Sequence, residues 1–509
     1  MTRAAVWSPA LSKEIRALLP LWGTSVAALA ALVWRDGDLR DLGWFAYIVG
    51  SLAIGAQSVG QEYSYRTLPM LLSQPADRRL MYLLKFVVST VMLLTLAALA
   101  AMLPAKVWLP EFSRLPILIL PVLCGLFLAP LLTMIARSTL AGMVLSGSAM
   151  ALTWLVTLAI AWFGFGIAPK AAEHMILGRW TLGAMVLCPL AGLLGWRQFT
   201  GLEATEAASP ALHLPQWLRS AAGARRHSPL RALAAKEVHL QQLAFGVAGL
   251  YIIVWALSSL AQRYIPSWST FPLGAAMVLY CMGLAVMIGA LASAEERQHG
   301  TLDWQLLLPT PAWKQWMVKV GVTLGLALLF GVALPVLLNQ LKPLDGSRAL
   351  RLTPDFTVLI VLLTAGSVYI SSLAASGVRA MVLSLPVGMA VAYFVRMVSG
   401  ALHWVTLELA GPMMANIVTG AVVPSSVDPT HIVMLAAWGF SLTLVPLLLW
   451  FGFVNHTSSE RTVRRIFQQA AAIAVLIVIG MILVGGVLAF YELHSRRDTP
   501  PSAVRYSSG

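Results

Sequence analysis

Between Gln61 and Lys85 the chain reads QEYSYRTLPMLLSQPADRRLMYLLK, and between Glu295 and Lys319 it reads EERQHGTLDWQLLLPTPAWKQWMVK. Laid over one another without a gap, at an offset of 234 residues, the two stretches share Glu62/Glu296, Thr67/Thr301, Leu68/Leu302, Leu72/Leu306, Pro75/Pro309 and Lys85/Lys319. Each opens on a carboxylate, passes through a Thr-Leu pair suited to starting a short helix, breaks at a proline and ends in a basic, amphipathic stretch. In the first, Arg78, Arg79 and Lys85 stand among Leu80, Leu83 and Leu84; in the second, Lys314 and Lys319 stand among Trp313, Trp316 and Met317. Two further echoes keep the order: SKEIRALL at Ser12–Leu19 resembles AKEVHLQQ at Ala235–Gln242, and MVLS recurs at Met143–Ser146 and Met381–Ser384. A period this long predicts two like halves in one chain.

The surroundings of the two stretches set the solvent. The chain has 509 residues, of which 59% are hydrophobic and 11% charged, with a mean hydropathy of +0.79. Soluble domains carry about a quarter charged residues, so an ordinary soluble domain is excluded. Apolar runs long enough to cross roughly 30 Å of hydrocarbon as helices fall at 17–34, 44–60, 86–103, 115–136, 139–165 and 178–196, and again at 243–262, 272–293, 318–338, 356–375, 379–399 and 432–453. A thirteenth follows at 470–490. No stretch alternates polar and apolar residues in ten-residue units, which disfavours a β-barrel. The predicted architecture is an all-α, polytopic membrane protein of 12–13 spans: two tandem six-helix repeats and one extra C-terminal helix. Its predicted divisions are 1–200, a linker at 201–232 containing Pro210, Pro215, Arg225, Arg226 and Pro229, a second half at 233–465, and the last helix and tail at 466–509.

The net charge of +14 suggests a nucleic-acid partner only if it forms one face. It does not. With the N-terminus inside, the inner loops hold 21 of the 35 Lys+Arg and 10 of the 21 Asp+Glu, as retention of basic loops in the cytoplasm requires. The charge therefore records topology, and no nucleic-acid partner is expected. The first 16 residues include Arg3, Lys13, Glu14 and Arg16 ahead of any apolar run, so no cleavable signal peptide is expected. Cys124, Cys188 and Cys281 all fall in apolar runs and are predicted to be buried thiols, with neither a disulfide framework nor zinc-ligand spacing. Gly321-x-x-x-Gly325 and Ser146–Gly147–Ser148 are predicted to be sites of close helix packing.

The second stretch, from Glu296, Arg297 and Gly300 through Thr301, Leu302, Leu306 and Pro309 to Lys319, resembles the first cytoplasmic loop of type-2 ABC transporter permeases, also called the type V exporter fold. The first stretch resembles it through Glu62, Thr67, Leu68, Leu72 and Pro75, with Arg66 standing where that family usually has glycine. The pairs Lys13–Glu14 and Lys236–Glu237 resemble the family's amphipathic lead-in helix. The likeness covers about 1–200 and 233–465. It implies the permease of an ATP-driven exporter in a bacterial cytoplasmic (inner) membrane; the apolar linings of the segments expected to meet substrate suggest a hydrophobic or amphipathic cargo such as a lipid-like molecule or antibiotic. It further implies that Thr67–Leu72 and Thr301–Leu306 dock on two copies of a nucleotide-binding ATPase subunit. Glu62 and Glu296 would pair with basic groups at the cytoplasmic mouth, and Arg78, Arg79, Lys85 and Lys319 would anchor the next helix at the headgroups of membrane lipids. Substrate contacts would come from 46–60, 146–158, 278–290 and 385–394. The chain has no GxxxxGK[ST] for cradling phosphate, so it is expected not to be an enzyme or to hold a cofactor; ATP and Mg would be bound by the partner.

The main alternative is an ion-coupled secondary transporter of major-facilitator-like architecture, which also has two parallel halves. Such carriers use intramembrane ionisable groups, and the apolar runs contain no Asp or Glu; Arg396, near an outer end, is predicted to snorkel. An intramembrane enzyme is disfavoured because no two histidines stand at i,i+4 with a carboxylate and no Gly-x-Ser-x-Gly is present. The longest outer loops, 339–355 and 400–431, are short, and the second is predicted to hold a re-entrant or interfacial helix.

Overall fold

The computed structural model describes residues 3–33, 40–64, 67, 68, 70, 77–103, 114–150, 153, 169–201, 229–264, 271–298, 300, 310–341, 354–388, 429–458 and 463–495. Among these the chain is all-helical, as an apolar sequence in lipid must be if its backbone groups are to be satisfied internally. The first half contains α1 (Arg3–Val33), α2 (Arg40–Ser64), α3 (Arg78–Ala101), α4 (Arg114–Leu123 continuing through Cys124–Leu128 and Ala129–Ala136), α5 (Thr139–Met150) and α6 (Pro169–Thr200). The second contains α7 (Pro229–Leu240), α8 (Gln242–Tyr264), α9 (Phe271–Gln298), α10 (Ala312–Leu328 continuing through Leu329–Ala333 and Leu334–Leu341), α11 (Pro354–Leu373), α12 (Gly377–Gly388), α13 (Pro429–Thr457) and α14 (Val463–Ser495). Six of the described helices are long and apolar enough to cross a membrane: Arg78–Ala101, Leu118–Ala136, Gln242–Leu260, Ala312–Leu341, Phe356–Leu373 and Val463–Gly480. This is a membrane-embedded protein.

Two of the helices carry a wide turn for the same reason. In α4 the π-helical turn Cys124–Leu128 contains Leu126, whose carbonyl lies four residues before Pro130. In α10 the π-helical turn Leu329–Ala333 contains Gly331, four residues before Pro335. Proline lacks the N–H that would take that carbonyl and its ring clashes with it, and widening the preceding turn relieves both problems. The widened turn of α4 meets α2 backbone to backbone. A Cβ on Gly55 would stand 1.7 Å from the Gly125 carbonyl oxygen, so only glycine fits there. Gly289 of α9 is equally confined, 2.5 Å from Ser367 Cβ and 2.7 Å from the Thr364 carbonyl of α11.

In the first half α2 packs on α1 and α4; in the second α9 packs on α11, α11 on α13, and α13 on α14. The largest apolar core draws Leu52, Ala53, Ile54 and Ala56 from α2 together with Leu284, Ala285, Ile288 and Leu291 from α9. Phe45 lies against Gly283 where the two helices meet. The segments expected to contact substrate along α2 and α9 are thus packed core in this conformation. Of the other two, the structure describes Ser146–Met150, Thr153 and Leu385–Gly388.

Several expectations change. Gly321 and Gly325 have no atom of the described residues within 4 Å of an added Cβ, so this pair is not a close-packing site among them; the tight glycines include Gly50, Gly55, Gly60, Gly125, Gly142 and Gly289, which no GxxxG spacing marks. The expected linker loses residues at its end, because α7 already begins at Pro229; residues 202–228 lie outside those described. The lead-in and first span form one helix in α1 but break at Gln241 between α7 and α8. Arg396, most of the 339–355 loop and the re-entrant segment expected in 400–431 also lie outside the described residues.

Candidate functional site

At the C-terminal end of α2, Glu62 is buried and Lys85, about two turns into α3, reaches it. The Lys85 ammonium donates to Glu62 Oε1 at 3.1 Å, to Glu14 Oε1 of α1 at 2.8 Å and to the Ser58 carbonyl at 3.0 Å. All three of its donors are used. Lys13 donates to Glu62 Oε1 at 3.0 Å, the Gln61 amide donates to Glu14 Oε2 at 2.7 Å, and the Thr67 hydroxyl donates to Glu62 Oε2. Thr67 N–H also donates to the Glu62 carbonyl at 3.0 Å, which turns the chain out of α2. Two lysines and two carboxylates thereby fasten the root of the loop to α1 and α3.

The second half builds the same figure. Lys319 of α10, fully buried, donates to Glu296 Oε2 at 2.7 Å, to Glu237 Oε2 of α7 at 3.2 Å and to the Ala292 carbonyl at 2.6 Å. Lys236 donates to Glu296 Oε1. In both clusters the carbonyl that completes the lysine's set belongs to the residue four before the loop glutamate, Ser58 or Ala292, because the ammonium lies along the last turn of the preceding helix. One difference has a chemical consequence. Gln61, which donates to Glu14, is replaced in register by Glu295, which is half-buried and has no N–H to give. Glu237 Oε1 accordingly accepts no hydrogen bond, and Lys236 stays 4.0 Å away.

Burial works to raise both loop glutamates, but the lysines outweigh it. Lys85, Thr67 and Lys13 hold Glu62 below the usual carboxylate range, and Lys319 and Lys236 do the same for Glu296. Glu237 goes the other way: burial lifts it, Lys319 opposes this only in part, and Glu296 adds to the rise. Burial and the neighbouring Glu296 push Glu295 up to about 7. Opposite charges held without water attract far more strongly than at a surface, and the same dryness makes an unpaired member costly.

Of the expected site residues, the structure brings Lys13, Glu14, Glu62, Thr67 and Lys85 into one cluster, and Lys236, Glu237, Glu296 and Lys319 into the other. Glu62 and Glu296 do pair with lysines, inside the protein. Lys85 and Lys319 are not headgroup anchors: both are buried and bound on three sides, since lipid phosphate cannot reach an ammonium enclosed by three helices. Leu68 does not present itself outward either. It is 1% exposed and packs with Val59, Tyr82, Met134 and Phe199, pinning the start of the loop, whereas Met70 is 70% exposed. Gly300 takes a left-handed φ of +65° with its N–H on the Arg297 carbonyl at 3.1 Å, so glycine serves the turn there. Arg297 donates to the Asn455 carbonyl at 2.7 Å. Arg78 donates to the Thr200 carbonyl at 3.3 Å, and Arg79 is exposed. Arg66, Leu72, Pro75, Thr301, Leu302, Leu306 and Pro309 lie outside the described residues.

Other polar residues at these sites were missed. His456 of α13 is fully buried beside the second cluster, with Nδ1 3.3 Å from Ser293 Oγ and its ring 5.2 Å from Trp316. Burial first and Lys319 second pull it down to about 3, so it is neutral. Asn455 exchanges hydrogen bonds with Gln469 at 3.1 Å in each direction, tying α13 to α14. The signal was present as Gly195–Thr200 (GWRQFT) and Gly452–Thr457 (GFVNHT). Tyr82 meets Trp196 at 5.5 Å and Phe199 at 5.2 Å, as Trp316 meets Phe453 at 6.4 Å and His456 at 5.2 Å. Cys124 of α4 and Cys188 of α6, distant in sequence, are both buried free thiols on helices that pack together. Among the described residues no group of His, Cys, Asp and Glu could hold a metal. In comparisons with known proteins, no family model, curated protein or solved structure matches the chain.

Proposed function

We propose that the chain is the permease of an ATP-driven exporter, made of two tandem six-helix halves and an additional C-terminal helix, with energy supplied by two copies of a separate nucleotide-binding ATPase subunit. One observation carries the reading: a buried Lys-Glu cluster of the same composition stands at the root of each of the two repeated loops. A loop rooted this way cannot move alone. Force applied to it reaches the lead-in helix and the next helix through Lys85 or Lys319, so that a half can shift as a rigid body.

The two-half reading is further supported by the capping of α5 and α12. Gly142 N–H meets the Ser138 carbonyl at 2.9 Å and Ala380 N–H the Ser376 carbonyl at 2.9 Å. Ser146 and Ser384 bond back to Gly142 and Ala380 at 2.6 and 2.7 Å. The proposed setting is a bacterial inner membrane with the N-terminus in the cytoplasm. The apolar character of α2 and α9 supports a hydrophobic or amphipathic substrate. The test is purification with a co-expressed ATPase of this type: wild type retains it, whereas Glu296→Ala with Thr301→Arg loses it while remaining folded. Equal retention would reject the docking role.

An ion-coupled carrier is favoured by one feature, Glu295, whose carboxyl sits at about 7 near Gly377 and Leu291. Transport in proteoliposomes that follows a proton gradient without ATP would select that reading.

A further inference from the structure

The N-terminus of α3 is built against electrostatic expectation. Helix N-termini carry partial positive charge and favour acidic residues, yet the first turn of α3 has none and begins with Arg78 and Arg79. Asp77 caps the helix by accepting from Arg79 N–H at 3.0 Å, which commits one carboxylate against two guanidinium groups. Arg197, in the last turn of α6, converges on the same place. Together with Thr200 and Gly201 these residues line an open cleft of about 400 Å³. Among the described residues three cations, one carboxylate and a helix N-terminus surround this cleft, an excess of positive charge that suits an anion.

The surroundings say which kind. From the cleft, α3 presents Leu80, Leu83, Val87, Val91 and Leu94 as one exposed apolar stripe at helical spacing, and α6 exposes Leu187, Leu190, Leu193 and Leu194. The two helices are held together at this end by Tyr82 against Trp196 and Phe199, and each exposed stripe runs away from the end of its helix that carries the arginines. An occupant with a phosphate at one end and hydrocarbon at the other matches both features. Topology alone does not explain the cleft, because the positions in register in the second half are Ala312, Trp313 and Val454. The second half carries its cation there at Lys314, so the three-arginine arrangement itself is particular to the first half.

We propose that the cleft between the start of α3 and the end of α6, lined by Arg78, Arg79 and Arg197, holds the phosphate of an anionic phospholipid, with its acyl chains along the exposed faces of α3 and α6. This deepens the assignment of membrane lipids as partners and rests on the chain being membrane-embedded, not on its coupling to an ATPase. Arg78 and Arg197 clamp the phosphate from two helices, and the α3 N-terminus adds its dipole.

The test uses the detergent-purified full-length chain, with thermal stability and native mass spectra followed during titration with dioctanoyl phosphatidylglycerol, dioctanoyl phosphatidylcholine and inorganic phosphate. Phosphatidylglycerol is expected to stabilise the chain and to remain bound at one molecule per chain, whereas the other two do neither. Arg197→Gln should weaken binding roughly fivefold, and Arg78→Gln/Arg79→Gln/Arg197→Gln on the order of a hundredfold. The single variant keeps the Arg78–Thr200 contact, so a folding defect in the triple variant does not obscure the result. Equal stabilisation by phosphatidylcholine, equal stabilisation by inorganic phosphate, or undiminished phosphatidylglycerol binding by Arg197→Gln would overturn the proposal. No ATPase enters the assay, so failure of the exporter reading leaves this result unaffected.

Discussion

Replacing Lys319 by methionine removes a cation without leaving a large void. Lys319 is fully buried and holds Glu296 at 2.7 Å and Glu237 at 3.2 Å, so its loss leaves two carboxylates facing one another in a dry pocket. Lys236 still reaches Glu296 but stands 4.0 Å from Glu237. Breaking a buried pair from one side costs about 3–5 kcal/mol. Lys236→Met should cost less, about 1 kcal/mol at most, because that side chain is 38% exposed and solvent screens it. The cost should also be conditional. Neutralising both acids as well, in Lys319→Met/Glu237→Gln/Glu296→Gln, removes the stranded charges and should recover much of the loss. The assay is reversible unfolding of the detergent-solubilised chain at pH 7, read as a double-mutant comparison. Two results refute the reasoning: Lys319→Met no worse than Lys236→Met, or a triple variant less stable than the single one.

Acid should act in two windows. Glu62 and Glu296 have folded pKa values below their unfolded ones, so their stabilisation is complete above about pH 4.3 and is lost as pH falls through the folded values. His456 is depressed to about 3 from an unfolded value near 6.5; its contribution therefore already falls below about pH 6.5, by up to about 1.4 kcal/mol per pH unit, while the raised Glu295 works in the opposite sense over the same range and offsets much of it. His456→Phe, which places there the residue found at Phe199, should leave the Glu295 effect unopposed, so that melting temperature rises as pH falls from about 7 towards about 4.3, and should not change the lower window. Gly55→Ala should prevent α2 and α4 from meeting and cost several kcal/mol, since the obstruction is backbone. Gly321→Ala and Gly325→Ala have open space and should gain up to about 1 kcal/mol each. Mild oxidation of the purified chain should join Cys124 to Cys188 and leave Cys281 free, as mapped by peptide mass spectrometry; failure to form that link would mean that α4 and α6 do not pack as described.

The helical membrane fold was legible because apolar runs and the absence of interior carboxylates follow directly from the cost of burying charge in lipid. The loop glutamates and lysines were legible as repeated positions, but their burial was not. A lysine at the start of a span reads equally well as a headgroup anchor or as a buried partner, and only the approach of α1 to α3, or of α7 to α10, decides. Gly55 shows another limit: its necessity comes from a π-helical turn that Pro130 forces on a different helix, so no local spacing around Gly55 announces it. Gly321 and Gly325 have the spacing and face open space. His456 was hidden because its counterpart is Phe199, a different chemistry in the same ring contact.

The central claim is that the two rooted loops take force from an ATPase. It is tested most directly by co-expressing the tagged full-length chain with a Walker-motif ATPase of the exporter class and measuring, in proteoliposomes, both the subunit ratio and ATP hydrolysis. The account predicts two ATPase chains per permease, hydrolysis stimulated by the wild-type chain, and loss of that stimulation in Lys85→Met/Lys319→Met although the ATPase remains bound. ATPase that remains bound and fully stimulated when both clusters are broken would contradict it.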